Sequence, residues 1–249
     1  MKKMTAMTTI PAENNETFRE NIESNRTSVE GAPLLTSGAD LSGGAVNAAG
    51  GPVKKSIALG GKNYSIVKQF AVVSGEADIY LIESESPSGP AQSSVLKLFR
   101  FGVKPKAEIA GILKSLPRTA VIDIIESGET AEGRIYEIQE FARCGSLREY
   151  MKNNSPAPKE FVMEFVTRLN ECLRRIHSRN VIHRDIKPDN ILIKNFEPLE
   201  VVLADFGISS VAEFALHQTT VSRTILYSSP ESMTGVISTA VDYWALGII

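Results

Sequence analysis

The stretch "VIHRDIKPDNILI", residues 181–193, places six charged or polar side chains within eight positions, between two short apolar runs. Asp, Arg and Lys are rarely buried unless they are paired, so the polar octet is predicted to form a loop that the apolar runs hold on a packed base. Rigid loops of this kind position catalytic and binding groups. The stretch therefore predicts a functional loop on a folded domain.

A second stretch, "VVLADFGISS" at residues 201–210, has the same design. A buried-type strand leads to Asp205, and Gly207 permits the turn that follows. We expect Asp185, Asn190 and Asp205 to converge where the two strand-loop units meet. Carboxylate and amide oxygens suit Mg²⁺, which usually combines a few protein oxygens with substrate phosphates.

Composition excludes several classes of protein. With 249 residues, 43% of them hydrophobic and 22% charged, the chain has the composition of an ordinary globular protein with a substantial core. With a net charge of −2 the chain has no large positive field, so nonspecific electrostatic binding to nucleic acid or acidic lipid is not supported. No apolar run reaches the roughly 20 residues that span a bilayer, and no secretory signal is visible. Cys144 and Cys172 lack metal-ligand spacing, which favours a reducing compartment, the cytoplasm.

Amino-acid composition and apolar periodicity change along the chain. Residues 1–60 are rich in Asn, Thr, Ser, Ala and Gly without periodicity, which predicts a disordered arm. Residues 61–139 contain short segments rich in β-branched and aromatic side chains, separated by Ser, Gly and Pro, which predict an antiparallel sheet. Within this block "PKAEIAGILKSL", residues 105–116, has apolar side chains at helical spacing. The block is predicted to be a small β lobe with one helix.

A mainly helical lobe is predicted for residues 146–249, after a hinge at residues 140–145. Ser146 is a plausible N-cap for a short helix over residues 147–153. Residues 158–180 carry an apolar stripe that predicts a core-facing amphipathic helix: Phe161, Phe165, Leu169, Leu173 and Ile176. The predicted fold class is α+β.

Four motifs follow one another in order: the octet His-Arg-Asp-x-Lys-x-x-Asn, then Asp-Phe-Gly, then "YSSPE" at residues 227–231, then "DYWALG" at residues 242–247. This set resembles the protein kinase family, and the resemblance covers about residues 63–249. It implies a two-lobed kinase catalytic domain, residues 61–249, that uses ATP and Mg²⁺ to phosphorylate proteins.

The resemblance implies a role for each residue of the polar loops. Asp185 would orient the attacking hydroxyl and accept its proton. Lys187 would steady the transferring phosphoryl group. Asn190 and Asp205 would hold the magnesium ions.

Two features resemble serine/threonine kinases in particular. These are Lys187, two positions after the catalytic Asp, and Thr224, three positions before the Tyr of "YSSPE". Arg184 corresponds to the residue that receives a phosphorylated activation segment through charge-assisted hydrogen bonds. The candidate phosphorylation sites, autophosphorylation included, lie in "HQTTVSR": Thr219, Thr220 and Ser222.

In the amino-terminal lobe, "VLKLFR" places Lys97 on an alternating strand, as the phosphate-contacting Lys of the family requires. Its acidic partner is expected on the following helix, where Glu108 is the one acid. The apolar register of that helix aligns Ile109, one position further on, with the usual Glu site.

The phosphate-covering loop departs from the family pattern Gly-x-Gly-x-x-Gly-x-Val. The small side chains Ser74, Gly75 and Ala77 still allow the backbone to approach phosphates. The phrases "SGEADIYLIE" and "VLKLFRFGVKPK" resemble diverged bacterial kinases. In the hinge, backbone groups from Glu140 to Ala142 are expected to contact adenine, with Gln139 beside the back pocket.

Two further positions are expected to be structural. His183 should pack under Phe206, and Asp242 should hold the backbone near His183 and Arg184. Family members continue beyond the helix that carries Asp242 and supply an Arg for the Glu of "YSSPE", here Glu231. The sequence therefore resembles a catalytic domain truncated at its carboxyl end.

Function is predicted to be Ser/Thr protein kinase activity. The degraded glycine loop keeps a second hypothesis open, a weak or inactive pseudokinase that serves as a docking module. A small-molecule kinase of the aminoglycoside type is a third, but such enzymes lack an activation segment ending in "YSSPE".

Overall fold

The structure is a computed structural model that describes residues 55–70, 76–84, 91–105, 107–206, 225–234 and 238–249. Several positions singled out above lie outside these residues. They are the arm up to residue 54, the loop positions Ser74 and Gly75, and the activation-segment positions Thr219, Thr220, Ser222 and Thr224.

Within the described residues, six strands form one antiparallel sheet in the order β1-β2-β3-β4-β6-β5. The strands are β1 (Ser56–Leu59), β2 (Lys62–Phe70), β3 (Ala77–Ser84), β4 (Ser93–Phe99), β5 (Ile124–Glu129) and β6 (Ile135–Glu140). Strand β1 falls inside the stretch 1–60 that composition assigned to an arm. It pairs with β2 across a turn in which Gly60 and Gly61 both have positive φ, of 55° and 77°. Pairing to a longer strand stabilises a segment that is too short to show its own periodicity.

The two faces of the sheet have different chemistry. On one face, Leu96 and Leu98 of β4 and Ile138 of β6 pack in a buried cluster with residues of β1, β2 and β3. Side chains alternate between faces along a strand, so Lys97 of β4 and Glu137 of β6 lie on the opposite face. The sheet therefore carries two buried charged side chains on the face away from this apolar cluster.

The helix between β4 and β5 is α1 (Ala107–Ser115). It contributes Ile109 and Leu113 to the large core cluster, whereas Glu108 in its first turn is exposed. The predicted antiparallel sheet with one helix is confirmed.

The second lobe begins with α2 (Leu147–Asn153), and its predicted N-cap is confirmed. The Ser146 side chain accepts from the Glu149 backbone N–H while the Glu149 carboxylate accepts from the Ser146 backbone N–H, a capping box. The long helix α3 (Lys159–His177) buries the five apolar residues of the predicted stripe. Both helices are therefore determined by local sequence.

A two-stranded antiparallel hairpin, β7 (Ile191–Phe196) and β8 (Leu199–Leu203), lies under the polar loops. The backbone of Leu203 donates to Ala120 and accepts from Ile122, both of which precede β5. Helix α3 packs on β8, and helix α4 (Ala240–Ile248) packs on α3. The predicted α+β fold, with a sheet lobe and a mainly helical lobe, is confirmed. No helix of the described residues is long and apolar enough to cross a membrane.

Candidate active site

The loop that contains the octet is held from below by Asp242 of α4. Its side chain is buried, and it accepts the backbone N–H of His183 at 2.9 Å and of Arg184 at 2.8 Å. His177 Nε2 lies 2.8 Å from the same carboxylate. The expectation that Asp242 holds this backbone is confirmed.

Two residues of the site have left-handed backbone conformations without being glycine. Arg184 has a φ of 70° and Asp205 has a φ of 62°. A non-glycine residue in this region costs roughly 1–3 kcal/mol and persists where surrounding contacts enforce it. The Asp242 hydrogen bond to the Arg184 backbone is one such contact. Positions of this kind concentrate at functional sites.

Asp185 is oriented by its own loop. Its Oδ2 accepts from Lys187 Nζ at 2.6 Å and from Asn190 Nδ2 at 2.8 Å, and the same Asn190 nitrogen also donates to the Asp185 carbonyl. The other carboxylate oxygen, Oδ1, is buried and accepts no hydrogen bond from any described residue. A buried acceptor without a donor is unfavourable in the free protein. The geometry therefore fixes the carboxylate through Oδ2 and leaves Oδ1 without a donor from the described residues.

Lys97 approaches the loops from the sheet. Its side chain is only 8% exposed, and its Nζ lies 2.7 Å from Asp205 Oδ1. Burial lowers the pKa of the Lys97 ammonium, but the nearby acids, Asp205 first and then Glu137 and Glu76, together outweigh burial, so the net pKa lies above its ordinary value. For Asp205, burial raises the pKa, and the neighbouring groups, Lys97 foremost, together lower it more. Both groups are therefore held in their charged forms.

The two polar loops are joined to each other through Ala204. Its backbone N–H donates to the Asn190 carbonyl at 2.9 Å, and its carbonyl lies 3.0 Å from His183 Nε2. The His183 ring is buried and lies 4.5 Å from the Phe206 ring, centroid to centroid, as predicted. Lys187 is among the charges that lower the pKa of Asp205. These contacts bring the Asp185 loop and the Asp205 loop together.

The residues predicted to hold Mg²⁺ fit that ion. The Asn190 nitrogen is taken by Asp185, so its amide oxygen is the atom that remains for a cation. Asp205 supplies a charged carboxylate. Within the described residues no three His, Cys, Asp or Glu side chains are grouped as a metal cage. An amide oxygen and a carboxylate match an ion that completes its shell with water and phosphate.

The structure does not bring Glu108 to Lys97. Glu108 is exposed on α1, and the neighbouring Ile109 is buried in the core. Among the described residues the ion pair of Lys97 is with Asp205. The helix therefore presents an apolar side chain where the family resemblance expects an acid, and a role for Glu108 stays a prediction.

The hinge residues are ordered by contacts on both sides. The Glu140 backbone N–H donates to Asp123, and its carboxylate pairs with Lys194 of β7 at 2.8 Å. Ala142 is buried, and its carbonyl accepts from Gly145. Ala77, from the predicted phosphate loop, is buried at the start of β3. Contact of these residues with a nucleotide stays a prediction.

Sequence reasoning missed Glu137. It is 7% exposed on β6, and its Oε2 accepts from Gln139 Nε2 at 2.9 Å. The sequence feature that could have revealed it is the position of Glu137 in the middle of the apolar strand "IYEIQE", two residues before Gln139 and therefore on the same face of the sheet. A charged side chain inside a buried-type strand generally marks a paired or functional group.

Comparison with known proteins agrees with this geometry. Residues 104–249 match the family model for the protein kinase domain. The chain is 36% identical to an Aurora kinase of Candida glabrata over 119 residues, which are 47% of this chain and 33% of that protein. It is 32% identical over 140 residues to a probable serine/threonine-protein kinase PknB of Lactococcus lactis, covering 55% of this chain and 22% of that protein.

A longer but weaker match is to the mouse serine/threonine-protein kinase SBK1, 28% identical over 204 residues, which are 76% of this chain and 46% of that protein. The chain thus spans less than half the length of these curated relatives. The family model covers more than half of the chain, and its span includes both polar loops. This chain therefore belongs to the protein kinase family.

Proposed function

We propose that this protein transfers the γ-phosphoryl group of ATP, as its magnesium complex, to Ser or Thr hydroxyls of other proteins. One observation carries the proposal: Asp185 is fixed through Oδ2 by Lys187 and Asn190, while its buried Oδ1 accepts nothing from the described residues. A substrate hydroxyl is a donor of the size and chemistry that this oxygen lacks.

The residues have separate tasks in the transfer. The substrate oxygen forms a bond to the γ-phosphorus, the bond from that phosphorus to the β–γ bridging oxygen breaks, and ADP leaves. Asp185 Oδ1 accepts the proton of the attacking hydroxyl. Lys97 would orient phosphates, and Lys187, which contacts Asp185, would offset charge on the transferring group. Asn190 and Asp205 would hold Mg²⁺, which neutralises phosphate charge when bound.

The choice of Ser and Thr rests on Lys187 and on the relatives, which carry the names of serine/threonine kinases. The described cysteines, Cys144 and Cys172, are not paired with each other. A chain that keeps its cysteines out of a disulfide suits a reducing compartment, so we place the reaction in the cytoplasm.

The test is phosphoryl transfer from γ-labelled ATP by the purified chain to itself and to a pool of Ser- and Thr-containing peptides. We expect Asp185→Asn to lower the rate by about 10³-fold, because a positioned general base supplies roughly that factor. A matched control is Asp189→Asn on the same loop, whose carboxylate contacts Arg148 at the surface. That variant should keep its rate within about threefold, since exposed ion pairs contribute little.

The outcomes separate the alternatives. Equal rates for wild type and Asp185→Asn would contradict the role of this carboxylate. Binding of Mg-ATP by wild type without any transfer would favour the pseudokinase. Mass spectrometry of the labelled chain would show whether Thr219, Thr220 or Ser222 is phosphorylated.

A further inference from the structure

Glu137 and Lys97 are cross-strand partners in the sheet. The register of β4 and β6 places them directly opposite each other, and both side chains are buried. Directly opposed residues point to the same face, with Cβ atoms roughly 4.5–5.5 Å apart. A buried acid and a buried base therefore lie together on the sheet face opposite the apolar cluster.

Among the described residues, no cation lies within 4.0 Å of the Glu137 carboxylate. Its one hydrogen bond among the described residues is from the neutral Gln139 amide, and no ion pair shorter than 4.0 Å involves it. Burying an ionised carboxylate is costly without a compensating charge. Lys97 is the ammonium in register with it, and Glu137 follows burial and Asp205 among the influences on the pKa of Lys97. The two groups are electrostatically coupled across the sheet.

Asp205 would be shared between Lys97 and a metal ion. In this structure its Oδ1 is bound by Lys97 at 2.7 Å. If Asp205 also holds Mg²⁺, as proposed above, the metal ion offsets part of the carboxylate charge, and a second acid would stabilise the buried Lys97 ammonium. Helix α1 offers none, because Glu108 is exposed and Ile109 occupies the core.

Glu76 is a weaker candidate for that acid. It also raises the pKa of Lys97, but less than Glu137 does. It is partly exposed and lies just before β3, outside the β3–β4 register, whereas Glu137 is buried and directly opposite Lys97.

We propose that Glu137 is a positioning residue that orients Lys97 toward nucleotide phosphates, in place of an acid on the helix. The Gln139 hydrogen bond fixes one carboxylate oxygen of Glu137. The inference deepens the proposed function and rests on it, because Lys97 is assigned to phosphates there.

The experiment measures the dissociation constant of Mg-ADP and of a non-hydrolysable Mg-ATP analogue by calorimetry. The variants are Glu137→Gln, Glu108→Gln for the rival acid that the family resemblance predicts, and each of these combined with Lys97→Met. Glu137→Gln should weaken binding of the ATP analogue by about tenfold, whereas Glu108→Gln stays within about twofold. In the Lys97→Met background, Glu137→Gln should add less than about twofold, because the group it positions is gone.

Three results would overturn the inference: wild-type affinity for Glu137→Gln, an undiminished effect in the Lys97→Met background, or a tenfold loss for Glu108→Gln. If Glu137→Gln does not fold, Glu137→Asp replaces it. Asp keeps the carboxylate charge, so the dissociation constant of the ATP analogue should stay within about threefold of wild type. In the Lys97→Met background, the retained charge should give no gain in affinity.

The readout also distinguishes this inference from the function on which it rests. A wild-type chain that binds the nucleotide but transfers no phosphate would contradict the proposed activity and leave the comparison of variants valid. A wild-type chain that binds neither nucleotide would overturn the inference as well.

Discussion

The loop that carries Asp185 and the strand that carries Lys97 hold their charged side chains by different means. Asp185 is bonded by Lys187 and Asn190, which are two and five positions away in the chain. Lys97 is placed by strand register and is paired with Asp205, which is 108 positions away. A loop that orients its carboxylate through nearby residues needs a particular local sequence. A strand that carries a buried lysine needs only an acid that the fold brings opposite that lysine.

This difference explains where the chain keeps the family pattern and where it departs from it. In the octet, every residue that the motif specifies contacts another such residue or the buried Asp242. On the sheet side the acid of the helix is absent from the site, and Glu137 of a different strand lies opposite Lys97. Three substitutions test the comparison, beginning with the largest expected effect.

Lys97→Met removes the charge that the sheet contributes. We expect phosphoryl transfer to fall by about 10²- to 10³-fold, since loss of one positioned electrostatic group has that effect. The measurement is the initial rate at saturating peptide and varied Mg-ATP. Met keeps the length of the side chain, so the far-ultraviolet circular dichroism spectrum should not change. A rate close to that of wild type would show that the sheet side contributes no catalytic charge.

Asp242→Asn tests the anchoring of the loop. Asn offers one acceptor oxygen where Asp242 serves two backbone N–H groups and His177, so at least one buried donor loses its partner. We expect the free energy of unfolding to fall by about 2–4 kcal/mol, as measured by urea titration.

The control for that measurement is Asp123→Asn. Its partner Arg118 has a side chain that is 75% exposed, and such a pair contributes about 0–1 kcal/mol. Equal losses of stability for Asp123→Asn and Asp242→Asn would contradict the anchoring role.

Ser146→Ala tests a contact between residues that are close in the sequence. It removes one half of the capping box at the start of α2 and should cost about 1 kcal/mol in thermal or urea unfolding. Ser146→Thr keeps the hydroxyl, so the free energy of unfolding should fall by only a few tenths of a kcal/mol. A loss of several kcal/mol on Ser146→Ala would mean that the cap supports the hinge as well as the helix.

Much of the fold could be predicted because its signals are short-range. The stripe from Phe161 to Ile176 has the period of a helix, and the capping residue Ser146 precedes a helix with Glu149 three positions later. Strand β1 was missed because four residues provide too little alternation, and its stability comes from pairing with β2.

The amino-acid sequence by itself determined the members of the catalytic loop, since Asp185, Lys187 and Asn190 lie within six positions and can reach one another whatever surrounds them. Only the tertiary structure decided which acids face Lys97. Strand register and the rotation of α1 place Glu137 in the buried region and Glu108 in solvent. Neither quantity is written in any short stretch, because both depend on how distant segments pack.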